Sequence, residues 1–452
     1  MSDEWQDYLK DPRRICKYGV NCYQKNPDHQ NKFKHPPQKF KGKAQKADNN
    51  KRKNARYSPY TRNDKNEKAK KVDETDEKSE TASSSELSEV NTPNREIEKE
   101  KIETHLTSAI SEVNATEKRP ADIETDAVIN NFTTIVIDES TQYFDKDSDH
   151  KIFKECFLVN MPSDFFAFYE CLKNEEGSIE KLLSTVNLQL IGPFDLLLGK
   201  LPIIEDKDLY LIHWRFYYDP PEYQAVLKKK GKSEYHIGYF RDSPDEEPIF
   251  LAENNSEKDF TIKPIAKNIF VAVYCFLQNE KKTSPFVSVA CQKLMEKVSK
   301  WAKEHDYTLE EFDMKTRQQQ TICKSFHGAG IVVPYNKKTQ LGYRSLAESN
   351  AKLKKLFKQL ADATSQKEKD KILSDLQPVI TYANIAVDEC DFGTGLEAGI
   401  ALFCSGVKEL EFSATSLLQG VYPLLKREAF VKIIQVHMKY RRKGPDMSII
   451  SV

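Results

Sequence analysis

Across residues 41–130 the chain carries two opposed blocks of charge and almost no apolar periodicity. Residues 41–71 hold 12 Lys/Arg against 3 Asp/Glu, net +9, and residues 72–130 hold 6 against 16, net −10. A segment of this kind cannot bury enough apolar surface to offset the entropy of ordering it. The low-complexity run Thr81-Ala-Ser-Ser-Ser85 points the same way. The expected organisation is therefore a compact Cys/His segment at 11–37, a disordered linker at 38–126 and a folded region at 127–452. The overall formal charge of zero conceals this layout.

The chain has nine cysteines, and seven of them (Cys156, Cys171, Cys275, Cys291, Cys323, Cys390 and Cys404) are scattered among apolar residues without close pairing. That usage predicts a reduced, intracellular protein. The first fifteen residues contain no apolar run, and stretches such as 269–277 fall far short of a bilayer span. Neither secretion nor a membrane partner is expected.

In the third region the apolar spacing predicts helices over 164–174, 269–278, 287–305, 351–363, 366–388 and 430–440. Strands are predicted over 209–218 and 235–240, where β-branched and aromatic residues cluster between Pro and Asp, with a shorter one at 331–333. Strands followed by a run of helices, without βαβ alternation, predict an α+β fold: an aromatic-rich sheet packed with a helical C-terminal half. Arg215 and Arg241 are expected to pair with Asp219 and Asp242 within the aromatic core. Gly393 and Gly395 are expected to end or bend a helix.

Cys16, Cys22, His29 and His35 follow C-x5-C-x6-H-x5-H spacing. Zinc takes four such ligands in a tetrahedron, and so short a segment would draw its folding energy from the metal. The spacing departs from that of the DNA-reading finger, whose longer gap accommodates a recognition helix, so direct duplex DNA binding is not expected. Arg13 three residues before the first Cys, Tyr18-Gly19, Cys22-Tyr23, Asn26-Pro27 and His29-x3-Phe33-x-His35-Pro36 together resemble the poly(ADP-ribose)-binding zinc finger, the PBZ type. The resemblance implies that Tyr18 and Tyr23 stack on adenine while Arg13 meets the pyrophosphate, which is physically sensible for a nucleotide-like polymer. Gln24 stands where that family usually has Arg, removing one charge-assisted contact.

Four further stretches are unusually rich in aromatics, glycine or acids: His213-Trp-Arg-Phe-Tyr-Tyr-Asp-Pro-Pro221, Tyr235-His-Ile-Gly-Tyr-Phe-Arg-Asp-Ser-Pro244, Phe326-His-Gly-Ala-Gly330 and Asp388-Glu-Cys-Asp-Phe-Gly393. In this order, over about 145–440, they resemble the histone PARylation factor family. The resemblance implies an accessory factor, not an autonomous enzyme, that docks on DNA-damage-activated poly(ADP-ribose) polymerases. It implies that the factor completes their active site and directs modification to serine on histones, with NAD used only by the polymerase.

Carried over residue by residue, the resemblance makes Glu389 the general base, with Asp388 beside it. It places Tyr343, Arg344 and Asp391 at the polymerase contact. The basic clusters Lys51-Arg-Lys53 and Lys439-Tyr-Arg-Arg-Lys443 accord with residence in the nucleus, at damaged chromatin. Two alternatives stay open from the residues: a poly(ADP-ribose) reader that only scaffolds repair proteins, and a hydrolase using carboxylates near His327. The glycines at 328 and 330 fit neither a P-loop nor a dinucleotide fingerprint.

Overall fold

The computed structural model describes residues 10–15, 27–35, 134–173, 178–310 and 312–451. The charge blocks and the residues Cys16, Tyr18, Cys22 and Tyr23 lie outside the described residues. The chain divides into two units, Met1–Arg119 and Pro120–Val452. In the first, Arg14–Ile15 and Phe33–Lys34 pair as short parallel strands, and the helix Pro27–Lys32 leads into the second of them.

The second unit is α+β. Its larger sheet is an antiparallel meander of β1 (Leu188–Leu190), β2 (Tyr223–Lys229), β3 (Tyr235–Phe240), β4 (Phe250–Asn255) and β5 (Lys263–Ala266), in that spatial order, and Ile135–Val136 pairs in parallel with Ile450–Ser451 as a smaller one. Nearly every residue of β2 and β3 is buried, so both faces of the central strands are covered. The principal helices are α1 (Ser163–Lys173), α2 (Ile269–Glu280), α3 (Pro285–Glu304), α4 (Asn350–Asp362), α5 (Gln366–Asp388), α6 (Phe392–Ser405), α7 (Glu411–Leu424) and α8 (Glu428–Tyr440). Six of them coincide within a few residues with the periodic segments of the sequence. The starts are set by side chains: Asn268, Ser284, Ser349 and Ser365 each accept a backbone N–H of the first turn, and Ser365 with Glu368 forms a capping box.

Helix α6 had no periodic signature because it is buried on every side from Gly393 to Cys404. A helix surrounded by its neighbours has no polar stripe to betray it. Gly393 and Gly395 sit inside its first turns, where they neither end nor bend it. A Cβ on Gly393 would lie 2.6 Å from Ile322 Cδ1, and one on Gly395 would lie 2.3 Å from Val387 Cγ2. These glycines let α6 approach its neighbours closely.

The strand expected over 209–218 is instead a 3-10 turn, Lys207–Ile212, followed by irregular chain, and the true strand starts at Tyr223 after Pro220-Pro221. The reason is Arg215, whose guanidinium donates to the carbonyls of Leu211, Pro220 and Tyr223 and ties the segment into a knot. Arg215 therefore does not pair with Asp219, which accepts from His236 Nε2 at 2.8 Å. Arg241 likewise donates to the carbonyls of Glu246 and Asn160. Asp242 forms a two-pronged pair with the buried Arg317, 75 residues away along the chain. The segment 331–333 contributes only an isolated bridge, Cys323 to Ile331.

Phe165 stacks on Phe194 at 4.1 Å and Phe240 on Phe250 at 5.0 Å, so the aromatic core expected from the sequence is present. The seven cysteines of the second unit are all free thiols. No helix among the described residues is long and apolar enough to cross a membrane.

Asp164 in the first turn of α1 joins three elements. Its Oδ2 accepts from Tyr239 Oη on β3 at 3.0 Å and from the backbone N–H of Ile269, which opens α2, at 2.7 Å. Burial outweighs these bonds and pushes its carboxyl up to about 6. A carboxyl raised in the folded state favours folding at low pH, and that advantage is lost as pH rises through about 6. Asn at this position keeps an acceptor and carries no charge. The stability of Asp164→Asn relative to the parent chain should therefore rise by about 2–3 kcal/mol between pH 4 and pH 7.5, as read from denaturant midpoints.

Candidate functional site

Helix α5 ends on the two carboxylates singled out in the sequence. Its last residue is Asp388 and its C-cap is Glu389. The chain then turns through Cys390 in the left-handed region at φ 65°. Cys390 N–H donates to Val387 O, and Asp391 N–H donates to Ala386 O. This is the bonding of a Schellman turn with Cys in the place where Gly is usual. The turn leaves Asp388, Glu389 and Cys390 exposed and sends Asp391 inward as the first residue before α6. A residue other than Gly in this conformation costs on the order of 1–2 kcal/mol, the sort of strain that recurs at functional sites.

The segment Gly342-Tyr343-Arg344 lies along one face of α6. Asp391, Thr394 and Glu397 recur every three residues on that face, and each takes a different rung. Gly342 N–H donates to Asp391 Oδ1 at 2.9 Å, and Gly393 N–H returns to Gly342 O at 2.9 Å. Thr394 Oγ1 accepts Arg344 N–H at 2.9 Å and donates to Arg344 O at 2.7 Å. Tyr343 Oη donates to Glu397 Oε2 at 3.0 Å. Gly342 is required here: its φ is 111°, and a Cβ would stand 2.2 Å from Pro334 O.

This ladder delivers the Arg344 guanidinium to the carboxylates. Its Nη1 donates to Glu389 Oε2 at 2.5 Å, its Nε lies 3.4 Å from Asp391 Oδ2, and its plane stands over the Tyr382 ring at 5.1 Å. Glu389 keeps 59% of its side chain exposed, whereas Asp391 keeps 11%. Asp391 therefore serves the loop and Arg344 from inside, while Glu389 faces outward. Beside them runs a groove of about 670 Å³ whose walls include Tyr335, Lys337, Lys338, Leu341, Cys390 and Leu424.

Thr394, Glu397 and Tyr382 were not foreseen as parts of this site, nor was Ile385, 48% exposed one turn before Glu389. The three-residue recurrence of Asp391, Thr394 and Glu397 was the available signal. An exposed Ile on the helix carrying two acids was another.

His327 belongs to a different place. It is buried, its Nδ1 accepts Ala329 N–H at 3.1 Å, and its ring meets Phe240 edge-on. Burial, with the Arg317 guanidinium nearby, holds the imidazole down to about 3. The ring is closed off from solvent, so His327 serves the packing of the core.

In the first unit the two expected histidine ligands converge, with His29 Nε2 and His35 Nε2 3.2 Å apart. Two ligands at roughly 2.0–2.1 Å from a tetrahedral ion stand about that far apart, so the pair fits zinc. Cys16 and Cys22 are outside the described residues, as are Tyr18 and Tyr23. Arg13 is held by Asp11, with its Nε 3.0 Å from Oδ2, and the guanidinium draws the Asp11 carboxyl down to about 2.

The sequence model described as histone PARylation factor 1 matches residues 148–441, a span that holds the ladder, Arg344 and the acidic turn. The chain belongs to the histone PARylation factor 1 family. Residues 13–38 match the model of the PBZ domain. Histone PARylation factor 1 of Mus musculus is 38% identical over 307 residues, covering 66% of this chain and 88% of the relative. The Danio rerio protein of the same name is 40% identical over 291 residues, 63% of this chain and 83% of the relative. A putative histone PARylation factor 1-like protein of Homo sapiens is 36% identical over 300 residues, 64% of this chain and 85% of its own.

Within this family member, Thr394 is the rung that holds both backbone groups of Arg344. Thr394→Val should cost about 1–3 kcal/mol of stability by leaving a donor and an acceptor unpaired, measurable by chemical denaturation with the helix content of the native state unchanged.

Proposed function

We propose that this chain is an accessory factor for ADP-ribosylation. In this reading it docks on a DNA-damage-activated poly(ADP-ribose) polymerase and supplies Glu389 as a general base that directs transfer to serine on histones. It is not an enzyme on its own. The observation that carries the reading is the exposed carboxylate of Glu389 at the end of α5, held by Arg344 beside an open groove. Family membership supports the same role.

The chemistry needs such a group. As the bond between nicotinamide and ribose in NAD breaks, the anomeric carbon gains oxocarbenium character, and a neutral serine hydroxyl is a weak nucleophile for it. Glu389 takes the hydroxyl proton as the new carbon–oxygen bond forms, an effect on the order of 10²–10⁴ in rate. A carboxylate in an ion pair is a poorer proton acceptor than a free one. Docking therefore works best when Arg344 turns from Glu389 to an acidic group of the polymerase, with Tyr343 beside it at the contact. Asp388 orients its neighbour or meets the polymerase, and Asp391 keeps Arg344 in reach from within.

The finger, proposed to span 11–37, would hold structural zinc through Cys16, Cys22, His29 and His35, with the ion supplying folding energy that so small a core cannot. Tyr18, Tyr23 and Arg13 would meet poly(ADP-ribose). A linker over 38–126 would tether the finger to the remainder at 127–452, and the site of action would be the nucleus, at damaged chromatin.

Glu389→Ala should abolish serine modification while leaving the complex with the polymerase intact. Arg344→Ala should weaken that complex, and raising the factor well above its dissociation constant should recover much of the activity. Reconstitution with polymerase, damaged DNA, NAD and a histone peptide measures both. Near-normal serine transfer by Glu389→Ala at saturation would replace this reading with that of a poly(ADP-ribose) scaffold. For the finger, the whole chain should carry one zinc by elemental analysis, lose it in Cys16→Ser, and lose poly(ADP-ribose) binding in Tyr23→Ala. Equal affinity for poly(ADP-ribose) and duplex DNA at physiological salt would count against the assignment.

A further inference from the structure

Glu397 is a carboxylic acid in the buried heart of α6, only 6% exposed, and no step of the proposed chemistry uses it. Burial raises its carboxyl above the usual range, against the opposing hydrogen bonds of Tyr343 and Cys323. The Cys323 thiol is itself pushed up to about 12 and stays protonated, so it serves as a donor. An acid placed in an apolar helix at such a desolvation cost calls for a reason. Its contacts supply one. Tyr343, whose hydroxyl it receives at 3.0 Å, is the residue immediately before Arg344.

The other two rungs grip the backbone of the same segment, Asp391 at Gly342 and Thr394 at Arg344. Glu397 alone of the three grips the Tyr343 side chain, at a point set off from the backbone bonds by the length of a tyrosine. A chain held at two backbone points can still pivot about the line joining them. A third point off that line removes the rotation. Arg344 would otherwise swing with that rotation, since its guanidinium reaches Glu389 from the same segment.

We propose that Glu397 is a positioning residue: as hydrogen-bond acceptor for Tyr343, with Cys323 at its side, it locks the 342–344 segment in the pose that presents Arg344 to Glu389 and to the polymerase. The proposal rests on the docking role assigned to Arg344 above. It does not make Glu397 a participant in proton transfer. What Glu397 supplies is an acceptor atom, so Gln should replace it and Ala should not.

Two measurements on the full chain test this. Hydrogen exchange of the peptide containing 342–344, in the chain alone, should be about tenfold faster in Tyr343→Phe and in Glu397→Ala, the loss of one hydrogen bond of about 1.4 kcal/mol. Glu397→Gln should exchange close to the parent rate. In reconstituted serine modification Glu397→Ala should raise the half-saturating concentration of the factor about tenfold, with the rate at saturation within about twofold of the parent, and Glu397→Gln should match the parent in both. Tyr343→Phe keeps the ring and its packing, so it remains informative should Glu397→Ala fold poorly. Unchanged exchange in Tyr343→Phe, Gln as disruptive as Ala, or faster exchange without any change in half-saturation would each overturn the proposal. The exchange result does not depend on catalysis. Its failure is therefore distinct from failure of the functional reading, which would show as serine transfer surviving in Glu389→Ala.

Discussion

The hydrogen bonds from one face of α6 to the segment Gly342-Tyr343-Arg344 are the constraint on which the site depends. Three side chains, two carboxyls flanking a hydroxyl, recur every three residues and bind three consecutive residues of an otherwise irregular loop. The loop has no sheet partner to hold it. Without α6, a small hairpin bridge, Asn336 to Leu341, and the edge-on contact of the Tyr335 and Tyr343 rings would be left to define its path on that side. Arg344 inherits its position from this face and so reaches Glu389 at the end of α5.

A second device complements the first. Glu389 could have been carried on a loop, yet it is the cap of a helix of 23 residues whose far end is fixed by a capping box. The turn through Cys390 then sends α5 into α6 with a single residue in a strained conformation. Rigid supports on both sides leave the exposed Glu389 carboxylate and the Arg344 guanidinium paired with it as the groups that can respond to a partner. Under the proposed role, such supports preorganise the site before a partner arrives.

Much of this was legible in the sequence where the information is local. Helices with a polar and an apolar face, such as α4 and α5, were read to within a residue or two because tertiary packing and periodicity agree there. The acidic turn and the Gly342-Tyr343-Arg344 motif were visible as residue types. Helix α6 was not, because burial on all sides erases the period. Nor was the segment 209–218, whose aromatic content suits a strand but whose backbone is claimed by Arg215. The partner of Asp242 could not be read from neighbours, since Arg317 arrives from a short helix, Met314–Gln320, 75 residues along the chain. The use of Asp391 inside the site, where contact with a polymerase was expected, follows from a turn whose handedness no composition encodes.

The rungs between 342–344 and α6 join residues about fifty apart, with α4 and α5 folded in between. Closing a loop of that length is entropically costly before any bond rewards it, but two consecutive helices in contact with each other shorten the span that has to be closed. The α4–α5 pair should thus form early and the rungs late. Glu389 and Arg344 meet only once the surrounding helices have packed, so a nascent or partly unfolded chain has the residues of the site without the site.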